Sequence, residues 1–320
     1  MKRTSYPRPV SRSLKVAVLV SISVTGLLFA AMQYAKTLRS NRLLHQLPST
    51  ARAVLRIDSA ALERTAAGKT LLATIVGTEQ LSQIEMVCAL DPIEALSEVV
   101  VWIRGPDDEP LQSIGVMLKG RAASAGTLAA CHRALVESRG GTVIRLDGPS
   151  GPMLANREQQ SAIAVIDDRT IVAGSVATVT EAIGVRRGTA PALVERRSIA
   201  ERWPLLARGS SISAILEPPD HWISALERVA ERLGGPFALE GAQTVGLFVE
   251  SGSAGAVAFS IDVSSAELAA ENAARMRGWI ASPPEDLEPP WTEVVRTARV
   301  SVRDRNIEVT MDVSSLSTAP

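Results

Sequence analysis

From Ala256 to Val263 the chain alternates: Val257, Phe259, Ile261 and Val263 fall on one side of an extended backbone, with Ala258, Ser260 and Asp262 between them. A period of two predicts a strand with one buried face. Short runs rich in Val and Ile predict further strands at AVLRID (53–58), EVVVWI (98–103), SIGVML (113–118), TVIRL (142–146), SISAIL (211–216) and TVGLFVE (244–250). Two hairpins follow from AIAVI and TIVAG around Asp167-Asp168-Arg169, and from ARVSV and NIEVT around Arg303-Asp304-Arg305.

Between the strands the apolar period lengthens toward that of a helix. Such stretches run over 59–76, 79–88, 124–138 and 220–233. The last is well bounded, with Asp220 as N-cap and Gly234-Gly235-Pro236 as stop. Its Trp222, Leu226, Val229 and Leu233 share one face, while Glu227, Arg228, Glu231 and Arg232 cover the other. Ser264 and Glu267 stand at capping-box spacing before a helix to Ile280.

Read in order, strand, helix, hairpin, helix and hairpin occur twice. The expected fold class is α+β, with two similar units at 51–190 and 210–315 and a linker with a helix at 191–209. Each unit is expected to form its own antiparallel sheet with helices on one face.

A different pattern precedes them. Val16 to Ala35 (VAVLVSISVTGLLFAAMQYA) carries no charge and is closed by Lys15 and Lys36. Twenty helical residues reach about 30 Å, the thickness of a bilayer's hydrocarbon core. The run is long for a signal peptide, and its exit lacks a clean Ala-x-Ala site, so it reads as an uncleaved transmembrane helix at 16–35. Lys2, Arg3, Arg8, Arg12 and Lys15 precede it, against Lys36, Arg39 and Arg42 after it. The larger cluster places residues 1–15 as a cytoplasmic tail and the body outside. Residues 36–50, with Leu38, Leu43, Leu44 and Leu47 before Pro48, read as a stalk that the body can lose without unfolding. The expected location is the inner (cytoplasmic) membrane, single-pass, with a periplasmic body. The short tail and Ala/Arg-rich composition point to a bacterial envelope.

Charge sharpens this division. Residues 1–57 hold ten Lys/Arg and no acid, so of the chain's 34 Lys/Arg and 34 Asp/Glu, residues 58–320 keep 24 and 34, a net of −10. So acidic a body excludes nucleic acid as a partner, whose phosphates need neutralising cations. Aromatic residues are few, and the five Trp, at 102, 203, 222, 279 and 291, lie in apolar patterns that suit core filling.

Candidate chemistry is thin. Gly68-Lys69-Thr70 resembles the end of a phosphate loop, but Glu63 stands where that loop needs its first glycine, which excludes a nucleotide site. No G-x-S-x-G occurs. Cys131 and His132 are sequence neighbours, which on a helix point about 100° apart and cannot act as nucleophile and base. Neither His45 nor His221 stands with carboxylates at metal-ligand spacing. Asp107, Asp108 and Glu109 belong to a hairpin turn, and SPPEDLEPP (282–290) reads as a stiff spacer. No catalytic, cofactor-binding or metal-ligating residues are assigned.

The two cysteines, Cys88 and Cys131, are a candidate disulfide. Cys88 shares a helix face with Leu81 and Ile84, and Cys131 shares one with Leu128 and Leu135. An exported compartment favours pairing; the other reading is two buried thiols serving as small hydrophobes.

The function expected on these grounds is a non-enzymatic, membrane-anchored binding or scaffold protein whose partners are the membrane and other envelope proteins. Two alternatives stand beside it: a hydrolase with an atypical Asp/Glu/Ser site, and a carrier of an apolar ligand. A shifted carboxylate pair in a cleft would favour the first, and a closed apolar cavity the second.

Overall fold

The computed structural model describes residues 42–59, 78–104, 114–148, 151–156, 161–206, 210–218, 223, 241–250, 256–283 and 291–312. Its strands are β1 (Ala51–Ile57), β2 (Leu96–Arg104), β3 (Ile114–Gly120), β4 (Val143–Gly148), β5 (Gly151–Asn156), β6 (Ser161–Val165), β7 (Thr170–Ser175), β8 (Ser210–Leu216), β9 (Ala242–Glu250), β10 (Ala256–Val263), β11 (Arg299–Arg303) and β12 (Asn306–Asp312). The helices are α1 (Thr78–Cys88), α2 (Pro92–Ala95), α3 (Ala125–Ser138), α4 (Val176–Arg186), α5 (Arg197–Leu206), α6 (Ala266–Ala281) and α7 (Trp291–Arg296).

The class is α+β, with a large antiparallel sheet. All the described strands belong to one sheet, in the order β11-β12-β10-β9-β8-β1-β2-β3-β7-β6-β5-β4. The expectation of two separate sheets is corrected at its centre, where β1 pairs antiparallel with β8 and sets Leu55 opposite Ala214. Two separate sheets would each present an open strand edge there, and pairing satisfies the backbone groups of both.

Helices on one face only is the second correction. Val54, Trp102, Met117, Val172, Ala162 and Ala164 share a core with Val179 and Ile183 of α4 and with Ile199 and Trp203 of α5. Ile163 and Ile171 point the other way and pack with Ala125 and Leu128 of α3. Adjacent residues on a strand face opposite sides, so β6 and β7 are covered above and below. Farther along that second face, α6 packs through Ala269, Ala273 and Met276 on Ile261, Ile307 and Val309. Trp102, fully buried, needs a flat neighbour: a Cβ on Gly115 would stand 2.2 Å from its ring carbons.

Leu43, Leu44 and Leu47 are buried in the main core. Residues 42–50 are therefore part of the body, against the expectation of a separate stalk. Their apolar side chains sit with α4 and α5, and the backbone N–H of Leu193 donates to Leu47 O at 2.7 Å. Arg196 adds bonds to the carbonyls of Ser49 and Ala51 and an ion pair with Glu217, which also takes Arg52.

Helices α2 and α4 and strand β5 are among the elements with no counterpart in the sequence reading. Helix α4 begins at Ser175, whose hydroxyl accepts from Thr178 N, and β5 opens on Gly151 and Pro152. Helix α6 starts one residue later than the capping-box spacing placed it, since Ser265 accepts from Leu268 N. The transmembrane run 16–35, the tail 1–15, the P-loop-like 68–70, the turn 105–110 and the spacer residues 284–290 lie outside the described residues. So do the helices expected over 59–76 and 220–233, apart from Ser59 and Ile223. Among the described residues no helix is long and apolar enough to cross a membrane.

Candidate functional site

Pairing between β5 and β6 stops at Leu154 opposite Ile163, although β5 reaches back to Gly151 and β6 runs on to Val165. Pro152 supplies the local reason, because it has no N–H to donate to a ladder. Strand β5 keeps its other edge on β4, with Pro152 opposite Asp147. Where the β5–β6 ladder lapses lies a half-open cavity of about 320 Å³, at the small end of the range of ligand sites.

The cavity has an apolar floor and a basic rim. Met153, Leu154 and Ile163 come from the strands, Ile183 from α4 and Ala129 from α3; Arg145, Arg186 and Arg187 stand around them. All three arginines are exposed. Helix α4 delivers Arg186 and Arg187 together at its C-terminal end, where cations also meet the negative end of the helix dipole. Strand β4 delivers Arg145, which pairs with Asp147 at 3.0 Å, both side chains lying largely in water. Arg187 packs on Gly151, whose φ is +111°; a Cβ there would stand 2.8 Å from the Arg187 guanidinium. Glycine at 151 thus admits both the backbone turn and the arginine.

At the neighbouring β6–β7 turn, burial pushes the Asp167 carboxyl upward. Hydrogen bonds from Arg169 and Thr170, with the charge of Arg186, outweigh it and hold the group below its ordinary value. Asp147 and Asp167 partly offset the rim, which stays basic in an otherwise acidic body. A pocket of this composition suits a ligand with an anionic end and a short apolar part.

The cysteines lie elsewhere. Cys88 of α1 and Cys131 of α3 are joined by a disulfide with Cα atoms 5.0 Å apart, inside the usual range of about 4.4–6.8 Å. It ties α1 onto the outside of α3. His132 beside it is held neutral more readily than usual, because burial lowers its pKa. Among the described residues no group of three His, Cys, Asp or Glu is placed to hold a metal ion. The sequence reading missed Arg145, Arg186 and Arg187. The one local signal is the Arg186-Arg187 pair ahead of Gly188 in a chain segment poor in acids.

No protein-family model and no curated protein matches the chain. A solved structure described as crystal form I of TP0453 aligns with a TM-score of 0.47 and 10% identity, over 86% of this chain and 94% of that one. At that distance the likeness assigns neither a family nor a function.

Proposed function

We propose that this chain is a membrane-anchored binding or scaffold protein of the bacterial cell envelope, with residues 16–35 as its single span and its body outside the cytoplasm. The observation that carries the reading is the Cys88–Cys131 disulfide, which uses both cysteines of the chain. Such bonds persist in oxidising compartments and are rare in the cytosol. The uncharged run before the body supplies the means of staying there. A binding role is supported by the apolar floor and arginine rim of the cavity, which suit a ligand with an anionic end and a short apolar part.

The body, on this reading, is two copies of one unit. Counted outward from the centre, the strand orders are β1-β2-β3-β7-β6 and β8-β9-β10-β12-β11, which correspond one to one. Strands β4 and β5 extend the first copy, and the cavity lies in that extension. The test of location is a reporter active only outside the cytoplasm, fused after Pro320. Activity there supports the reading, and activity of a cytoplasmic reporter at the same position overturns it.

A further inference from the structure

We infer that the cavity between β5 and β6 captures the free C-terminus of a partner protein. The inference rests on the binding-protein reading and names the kind of partner. Three observations lead to it.

The first is the lapsed ladder: over Gly151–Met153 and Ala164–Val165 the two strands make no pairs with each other. An extended peptide carries the alternating N–H and C=O groups that a strand edge accepts. The second is the arginine rim. A terminal carboxylate is planar and takes two parallel N–H bonds from a guanidinium, which arginine offers and lysine does not. On a body of net charge −10 beyond residue 57, a site with three arginines is where an anion is drawn. The third is size. The cavity of about 320 Å³ equals roughly ten water volumes at about 30 Å³ each. That holds one residue of valine or leucine size with its carboxylate. The last side chain of the partner rests on Met153, Leu154 and Ile163, its carboxylate meets Arg186, Arg187 and Arg145, and the preceding residues leave along a strand edge past Val165.

The test uses the full-length protein in detergent and a fluorescent, alanine-rich hexapeptide ending in leucine. The free acid should bind, and the same peptide with an amidated end should bind at least about tenfold more weakly, since charge-assisted bonds are lost. Arg187→Ala should weaken the free acid by about tenfold. Val165→Glu should abolish binding while leaving the melting temperature unchanged, because Val165 is 54% exposed and its replacement sets a competing carboxylate at the rim.

Equal binding of acid and amide, parent-like binding by both variants, or no binding of the acid at millimolar concentration overturns the inference. So does competition by octanoate as strong as by the peptide, which assigns the site to free small carboxylates. A partner recovered from membranes and cross-linked away from β5 and β6 would leave the binding-protein reading standing and sink this one.

Discussion

Strands β6 and β7 in one half of the sheet, with β5 and β4 beyond them, and β11 and β12 at the far end of the other half are both closing hairpins, yet they are written in different alphabets. Ala162, Ile163 and Ala164 of β6 and Ile171 and Val172 of β7 are consecutive buried residues. Strand β12 alternates, with Ile307 and Val309 buried and Asn306, Glu308 and Thr310 turned the other way. The first hairpin lies between α3 and α4, and the second has α6 on one side. Continuous apolar strands mark a sheet covered on both faces, and alternating ones a sheet covered on one. The candidate site lies in the doubly covered part, where a helix from each face and two strand edges converge. Coverage on both faces is what gives a lapse in the ladder apolar walls.

A charge placed on corresponding faces of the two hairpins should break or sustain this contrast. Val172→Glu puts a carboxylate where 1% of the residue is exposed, beneath α4. It should cost more than about 4 kcal/mol or prevent folding. Thr310→Glu lies opposite Arg299 on the polar side of β12 and should change stability by less than about 0.5 kcal/mol. Urea midpoints of the two variants measure the difference; similar shifts would mean the faces are not distinct.

The N-terminal segment extends the contrast, since it adds to the same face as α4. Leu44→Ala should cost about 2–5 kcal/mol, and a chain starting at residue 50 should aggregate where one starting at residue 41 melts cooperatively. A stable chain from residue 50 would return Leu43, Leu44 and Leu47 to a separate stalk.

These leucines also show what the sequence could and could not say. Alternation in AVAFSIDV predicts β10 because burial on one face leaves a visible period, while β12 is predicted from the hairpin turn at Arg303-Asp304-Arg305. The doubly covered AIAVI and TIVAG erase that period, and the helices over their two faces went unread as such. Helix α4 was hidden by its own composition: VATVTEAIGVR is rich in β-branched residues that favour strands, and its start depends on one hydroxyl, that of Ser175. Strand β5 has no strand signal at its start, since Gly151 and Pro152 are residues that strands disfavour. The cavity was out of reach for a different reason. Arg145 and the pair Arg186 and Arg187 meet because β4, β5 and α4 gather at one end of the sheet, and no local pattern encodes that meeting. Cys88 and Cys131 were legible because each fell on the apolar face of its helix.

Replacing both cysteines, Cys88→Ala with Cys131→Ala, should cost about 2–4 kcal/mol. The loss should fall on α1, which is held to the sheet through α3. Amide exchange over 78–88 should accelerate far more than over β6 and β7, and uniform acceleration would contradict the placement of α1 on the outside.

The smallest effect concerns the turn between β6 and β7. The folded Asp167 carboxyl lies below its ordinary value of 3.8, so its ionised form is the one the fold favours. That contribution is present above the unfolded value and is lost as pH falls through the folded one. The gap in urea midpoint between the parent and Asp167→Asn should therefore be open at neutral pH and close on acidification below 3.8. A gap that stays constant would remove Asp167 from the turn's stabilisation.

The reading of the whole molecule stands on a body that folds outside the cytoplasm. The direct measurement is the state of Cys88 and Cys131 in the full-length protein, with thiols blocked in intact cells before lysis and the digest analysed by non-reducing mass spectrometry. The account predicts one peptide pair linked through Cys88 and Cys131, with no blocked thiol at either. Two blocked thiols and no linked pair would contradict it.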